Sequence, residues 1–340
     1  MNQSVVVGVS GGVDSAVTLL TLRQEGWKVY PVYLKMKEGL ESLDQARLER
    51  LEEVTGLPVE VVDCRKAFCA HVTDPFVEAL KEGLTPNPCV WCNQHVKMKL
   101  LFDAADSFGC HYVSTGHYAR IIPGPEGKPA LARAQSSKDQ SYMLYRIDPR
   151  WVERLMFRLG SSEKEGVRAY ARQALGEGYG GGDSQDICFL GEESLDCYID
   201  ARLAQEPGAM VTPDGQVLGQ HKGLAHYTLG QRKGLGLNKG PWFVVGKKEE
   251  TNELVLAHEP AQVTRLVLTQ PRLLLPLQGS LTVKTRYRGA AVACSANHEG
   301  EKLVIDLAQP MSGVAPGQSA VLYQGDYVVG GGFIAKEGIQ

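Results

Sequence analysis

Gly8-Val9-Ser10-Gly11-Gly12-Val13-Asp14-Ser15 lies between the apolar run Val5 to Val9 and the helix-like stretch Ala16 to Gln24. Its reading decides the fold. An apolar β-branched run, a glycine pair and then a helical pattern spell strand, tight turn and helix start. Such a junction leaves the first N–H groups of the helix unpaired and aims them at one place, where the aligned peptide dipoles add partial positive charge. The turn is therefore a site for a chain of phosphates. Its glycines let the backbone approach an anion, and Ser10 and Ser15 add hydroxyl donors. Asp14, itself an anion, is assigned to Mg²⁺ or water beside the phosphates. No Lys follows the second glycine, so the Walker pattern is absent and a nucleotide site of another type is expected.

Working outward, strand-like and helix-like signals alternate: strand at Val5–Val9, helix at Val13–Gln24, strand at Val29–Leu34, amphipathic helix at Leu43–Val54, then strands at Val59–Asp63 and His111–Thr115. This rhythm predicts an α/β fold, an open parallel sheet with helices on both faces and ligands at the carboxyl ends of the strands. Residues 138–202 read as largely helical, with Trp151, Leu155, Phe157, Val167, Tyr170 and Leu175 as core candidates. Texture changes near Glu206-Pro207-Gly208, after which turn signals such as Asp214-Gly215 and Gln324-Gly325-Asp326 punctuate short alternating runs. The expected domains are 1–204, a catalytic α/β unit; 205–264, a small β-rich module; and 265–340, a β-barrel-like domain.

A chain of 340 residues, 43% hydrophobic and 22% charged, has the composition of a soluble globular protein with several cores. No apolar run approaches the roughly 20 residues that cross a bilayer, and the first strand starts almost at once, so neither membrane nor leader is expected. A cytoplasmic address follows, and with it eight cysteines that read as thiols, catalysts or metal ligands rather than structural disulfides. A net charge of −3 supplies no global attraction to nucleic acid, so RNA contact needs local basic patches.

Thr85-Pro86-Asn87-Pro88-Cys89-Val90-Trp91-Cys92-Asn93 is the second informative block. The prolines impose an extended loop, and Asn93 is placed to cap a helix over Val96–Phe108. Cys92 would then sit at a helix N-terminus near Lys97 and Lys99, two features that favour a thiolate. The same C-x-x-C also reads as two half-buried loop cysteines, while zinc lacks a second pair at finger spacing. A third block, Asp183 to Gly191 after the glycine-rich Gly178–Gly182, carries Cys188 on a loop able to approach another thiol.

Ser10-Gly11-Gly12-Val13-Asp14-Ser15 resembles the PP-loop of ATP pyrophosphatases, which split ATP between its α and β phosphates. Together with Thr85-Pro86-Asn87-Pro88, Cys92-Asn93, Thr115-Gly116-His117-Tyr118, Lys138-Asp139-Gln140-Ser141-Tyr142, Ile187-Cys188-Phe189, the run from His226 to Gly236, Val283 to Arg288 and Pro316 to Ala320, the chain resembles the tRNA-specific 2-thiouridylase (MnmA/TrmU) family over nearly its whole length. The resemblance implies a Rossmann-like PP-loop domain and ATP-dependent replacement of oxygen by sulfur at C2 of wobble uridine 34. Gly8, Val9, Ser10, Gly11, Gly12, Val13, Asp14, Ser15, Leu34 and Gly116 then match the ATP site. Cys92 matches the persulfide carrier and Cys188 its partner, which attacks the persulfide and leaves a transient disulfide. Asn87, Pro88, Cys89, His117, Lys138, Asp139, Gln140, Arg286, Tyr287 and Gln318 match tRNA contacts.

Cys89 stands where many relatives carry Asp, so that carboxylate's acid–base role does not transfer. Cys89, Cys92 and Cys188 instead offer three thiolates to a [4Fe–4S] cluster with one open iron, and the persulfide and cluster routes both stay open here. The implied partners are a tRNA and a sulfur donor: a cysteine desulfurase, a sulfur carrier or sulfide. For RNA, the sequence predicts Lys284, Arg286 and Arg288 on one strand face, Gln231-Arg232-Lys233 as a second patch, and a basic stripe from Arg146 through Arg150 and Arg154 to Arg158. Trp91 or Tyr118 would stack on the extruded base. Two other classes compete. A PP-loop synthetase of a small metabolite has no use for the three cysteines, and a non-catalytic RNA-binding or iron–sulfur protein has none for an intact phosphate turn.

Overall fold

Val5, Val6 and Val7 are 0% exposed, which places strand β1 (Ser4–Val9) in the middle of a sheet covered on both faces. The computed structural model describes residues 3–38, 42–125, 127–179, 187–191, 193–238 and 240–339. The chain divides into two compact units. One holds Met1–Val72, Cys89–Phe189 and Asp326–Val329; the other holds Thr73–Pro88, Leu190–Gly325 and Gly330–Gln340.

In the first unit, β1 leads through helix α1 (Val13–Gln24) to β2 (Lys28–Lys35), helix α2 (Ser42–Thr55) and β3 (Glu60–Asp63), each new strand parallel to the last. The chain then crosses to the other side of β1 and lays down β4 (Tyr112–Thr115). A hairpin of β5 (Ala119–Pro123) and β6 (Pro129–Arg133) follows, then the short β7 (Leu155–Met156) beside β4. The order β3-β2-β1-β4-β7 reverses direction between β1 and β4, so their carboxyl ends frame the crevice of a doubly wound sheet. On one face Val5, Val7 and Val9 meet Leu19 and Leu22 of α1, Leu48 and Leu51 of α2, and Val167, Ala171 and Leu175 of the helix Lys164–Leu175. This is the α/β fold the sequence predicts.

Residues 138–202 depart from expectation. Their described part holds two α-helices, Lys164–Leu175 and Leu195–Asp200, preceded by two 3₁₀ turns and β7. Leu155, Phe157, Val167 and Leu175 are buried as expected, whereas Trp151 and Tyr170 keep surface. Pro149 begins a 3₁₀ turn that ends at Arg154, and that is what stops a long helix from forming. The β5–β6 hairpin is an element the sequence reading does not predict.

The second unit contains an open sheet and a barrel. β8 (Gly208–Val211) and β9 (Val217–His221) form a hairpin whose turn places Gly215 at φ +90. Joined by β10 (Phe243–Lys248) and β11 (Glu253–Ala257), they give the order β10-β11-β8-β9. The barrel comprises β12 (Gln262–Leu273), β13 (Leu281–Lys284), β14 (Val292–Glu299), β15 (Lys302–Ser312), β16 (Ser319–Gln324) and β17 (Tyr327–Ile339). Pairing of β17 with β12 closes it, removing free edges around an interior of Leu266, Leu268, Val283, Leu303, Ile305 and Leu322. Among the described residues no helix is long and apolar enough to cross a membrane.

Candidate functional site

Gly12 caps α1 in an extended conformation and its carbonyl accepts from Ala16 N–H, so the free N–H groups of the first turn face the crevice. Gly11 sits at φ +73, a backbone state that favours glycine. The serines brace the turn. Ser10 N–H donates to Ser15 Oγ (3.1 Å), and Ser15 Oγ–H donates to Gly12 O (3.0 Å). From the end of β4, Gly116 closes against this turn: a Cβ there would lie 2.7 Å from Ser15 N and 2.8 Å from the Asp14 carbonyl carbon. Only glycine lets the two strand ends approach so closely.

Asp14 corrects one expectation. Lys164 Nζ donates to both of its carboxylate oxygens at 2.7 Å, and Tyr118 OH donates to Oδ1 at 2.9 Å. The lysine side chain is 9% exposed. A carboxylate so engaged is not a vacant ligand for Mg²⁺, and the residues present do not fit a metal held by Asp14. Sequence reasoning missed Lys164, which stands 150 residues downstream at the start of a helix with no motif around it. Tyr118, expected as a stacking ring, is 2% exposed and committed to Asp14.

A cavity of about 360 Å³ opens at the crevice, lined by Gly8, Val9, Ser10, Asp14 and Ser15 from the turn, Leu34 near the end of β2 and Met36 just past it, Gly116, His117 and Gln140, and Lys97, Leu101 and Cys188. It thus joins the turn, Leu34 and Gly116, all expected at the nucleotide, with one cysteine. His117 Nδ1 is 2.8 Å from Thr115 Oγ1, and desolvation, with the charge of Lys97 nearby, holds the imidazole neutral well below its ordinary value. Gln140 and Asp139 serve the fold. Gln140 Oε1 accepts from Tyr118 N–H, and Asp139 accepts from Ala134 N–H, Ser141 N–H and Ser141 Oγ–H. The Lys138 N–H donates to Ser136 Oγ.

The cysteine block differs most from expectation. Pro88–Trp91 is helical already, Cys92–Lys97 widens into a π-helical turn, and Met98–Ser107 resumes as α-helix. Cys92 therefore lies inside a helix, not at its N-terminus. Asn93 is no cap; its Nδ2 donates to Met143 O at 3.1 Å. Burial pushes the Cys92 thiol up to about 12; Lys97 pulls the other way, and Cys188, Cys89 and Cys64 nearby add to the rise. The resting group is a thiol, not the thiolate expected, because a residue only 6% exposed leaves its sulfur little water to solvate a charge. Cys188 is exposed, Cys89 half-buried, and all are free. Part of the glycine-rich stretch and Asp183–Asp186 lie outside the described residues. Among the described residues no three cysteine, histidine or carboxylate side chains gather into a metal-binding set.

The expected RNA patches fare unevenly. β13 ends at Lys284, which is buried, and Arg286, Tyr287 and Arg288 occupy a turn closed by Gly289 N–H donating to Arg286 O. No common strand face exists. The arginine stripe is absent too: Arg146 donates to Gln94, while Arg150, Arg154 and Arg158 pair with Asp148, Asp106 and Glu25. In the second unit Asn87 is buried, and the segment before it is tied at several points. Gln318 Nε2 donates to Thr85 O and Thr85 N–H to Pro316 O, while Lys247 and Lys336 donate to Gly83 O and Glu82 O. Gln318 is thus engaged within the protein. Burial lowers the Lys247 ammonium to about 8.

Residues 3–192 match the family described as tRNA methyl transferase HUP domain, 196–258 the tRNA methyl transferase PRC-barrel domain, and 263–334 the aminomethyltransferase beta-barrel domain. The chain is 36% identical over 360 residues to a tRNA-specific 2-thiouridylase MnmA of Herminiimonas arsenicoxydans, covering 97% of each. It is 38% identical over 350 residues to the one from Neisseria meningitidis serogroup A (97% of this chain, 95% of that). With that of Enterococcus faecalis it shares 35% over 355 residues (98% and 95%). Among solved structures, a 4-thiouridine synthetase–RNA complex with bound ATP overlaps 52% of this chain and 41% of its own at 14% identity and a TM-score of 0.36, a likeness too slight to compare sites.

Proposed function

We propose, for a chain that belongs to the tRNA-specific 2-thiouridylase family, that it adenylates C2 of wobble uridine 34 with ATP and replaces the oxygen by sulfur carried on Cys92 and released by Cys188. The observation that carries this reading is the single cavity lined by both the phosphate turn and Cys188. The thiol of Cys92 lies close enough to feel Cys188.

The uridine O2 attacks the α-phosphorus of ATP, the bond to pyrophosphate breaks, and N3 gives up its proton. The C2 oxygen, otherwise a poor leaving group, becomes part of AMP. A sulfane-sulfur donor, a persulfide RS–SH, hands its outer sulfur to Cys92 and departs as the thiol RSH. Cys188, as thiolate, attacks the Cys92 sulfur. The persulfide S–S bond breaks, its electron pair leaves on hydrosulfide, and a Cys92–Cys188 disulfide forms. Hydrosulfide attacks C2 and AMP leaves with the oxygen. A thiol reductant then reopens the disulfide with two electrons. Cys188, exposed and on the cavity wall, suits the attacking role; Cys92, buried and neutral at rest, suits a group loaded only when a donor opens its cover.

Within this reading Asn87, Pro88, His117, Lys138, Arg286 and Tyr287 remain the candidate RNA contacts, and residues 265–340 the candidate RNA-binding domain. The test is nucleoside mass spectrometry after incubation with ATP, tRNA and a persulfide donor. 2-Thiouridine at position 34 is expected. An unmodified wobble uridine, with persulfide or with reconstituted cluster, overturns the assignment.

A further inference from the structure

The charges around the cavity do not balance through the motif residues. Asp14 is neutralised by Lys164, and Lys37, at the Leu34 end, has a partner of its own. Lys97 differs. It is half-buried, lines the cavity, and has no hydrogen-bond or ion-pair partner among the described residues. An ammonium on the wall of a cavity, with no counter-charge among the described residues, is placed to meet an anion that enters it.

The π-helical turn explains how Lys97 comes to be there. In an α-helix a residue five positions on points about 140° away from the first. Widening to i→i+5 hydrogen bonding, at about 4.4 residues per turn, brings it within about 50°. Cys92 and Lys97 bound that widened turn and so share one side of the helix. One α-turn further, Leu101 packs on Gly8: a Cβ on Gly8 would meet Leu101 Cδ1 at 2.7 Å. The lysine is thereby fixed between the phosphate turn and the cysteines.

We infer that Lys97 binds the α-phosphate of ATP, the phosphoryl group transferred to the uracil oxygen, while the backbone of the turn takes the departing pyrophosphate. The choice among phosphates follows from place. The attacked phosphorus must face the base, and the base must face sulfur; the cation nearest the thiols is therefore nearest that phosphorus. The field of Lys97 reaching both Cys92 and His117 agrees with this position. The inference rests on the adenylation reading above.

The test is calorimetric binding of adenosine, AMP and α,β-methylene-ATP to the full chain, alongside tRNA-dependent pyrophosphate release, for wild type, Lys97→Gln and Lys97→Arg. Loss of a charge-assisted contact predicts AMP and α,β-methylene-ATP binding ~10- to 100-fold weaker in Lys97→Gln, with adenosine within about twofold and Lys97→Arg recovering most of the loss. Pyrophosphate release in Lys97→Gln should fall in kcat more than it rises in KM for ATP. Unchanged AMP binding with weakened α,β-methylene-ATP places the lysine at the leaving group and overturns the assignment, as does equal loss of adenosine. If wild type binds no nucleotide or releases no pyrophosphate with tRNA, it is the adenylation reading that fails instead.

Discussion

The phosphate turn and the cysteine-bearing helix line one cavity but are built on opposite principles. The turn is made of backbone: Gly11, Gly12 and Gly116 bring main chain together, and Ser10 and Ser15 bond to it and to each other. Such a site is finished before any ligand arrives. The helix around Cys92 instead offers side chains, a buried neutral thiol and an ammonium on the cavity wall with no hydrogen-bond or ion-pair partner among the described residues. Phosphate binding tolerates a permanent site, because nothing reactive is exposed. On the reading proposed above sulfur transfer does not, since an open persulfide is lost to any passing thiol.

The contrast is sharpest when the two halves are broken separately. Cys92→Ser or Cys188→Ser should abolish 2-thiouridine formation, by ~10³-fold or more, while tRNA-dependent pyrophosphate release stays within about threefold. Parallel loss of both activities would merge the regions into one. Next, Gly116→Ala drives a methyl into the backbone of Ser15 and Asp14 and should cost ~10²-fold in pyrophosphate release. Gly8→Ala meets only the flexible tip of Leu101 and should cost less than ~10-fold. Equal effects would deny that the turn depends on backbone approach.

Smaller effects probe what supports each half. Asp14→Asn leaves the buried Lys164 ammonium facing an amide and should destabilise by about 3 kcal/mol in urea unfolding, most of it recovered in Asp14→Asn/Lys164→Met. Iodoacetamide at pH 8 should modify Cys188 ~10-fold faster than Cys92, as read by peptide mass spectrometry, because burial holds the latter as thiol. The sign for stability follows. A thiol raised from 9.0 to about 12 favours folding fully below pH 9 and loses that contribution as pH climbs toward 12, a slope that Cys92→Ala should remove.

The same contrast governs what could be read from the chain. Strand, glycine pair and helix start are local events, so β1, α1 and the crevice at Ser10 were legible from Val5 to Gln24. The turn signals at Asp214-Gly215 and Gln324-Gly325-Asp326 likewise marked real hairpins. Cys92, Cys188 and the turn could be named from motifs, but not their protonation or cover. Burial of Cys92 is set by distant packing, and the π-turn has no composition of its own. Lys164 was invisible because its partner is remote in sequence. Lys284, Arg286 and Arg288 alternate as a strand would, yet the strand stops at Lys284 and the following turn takes Arg286.

The bonds that fasten residues 82–85 to Lys247, Pro316, Gln318 and Lys336 carry a practical warning for anyone trimming this enzyme. A fragment that stopped before the barrel would keep every residue around the nucleotide, and on paper would look complete. It would also cut three of the four moorings of the segment that leads to Cys89 and Cys92, leaving Lys247 alone. On the reading proposed above, such a truncate should hold ATP and yet form no 2-thiouridine, because the segment leading to its sulfur-bearing cysteine has lost most of its ties.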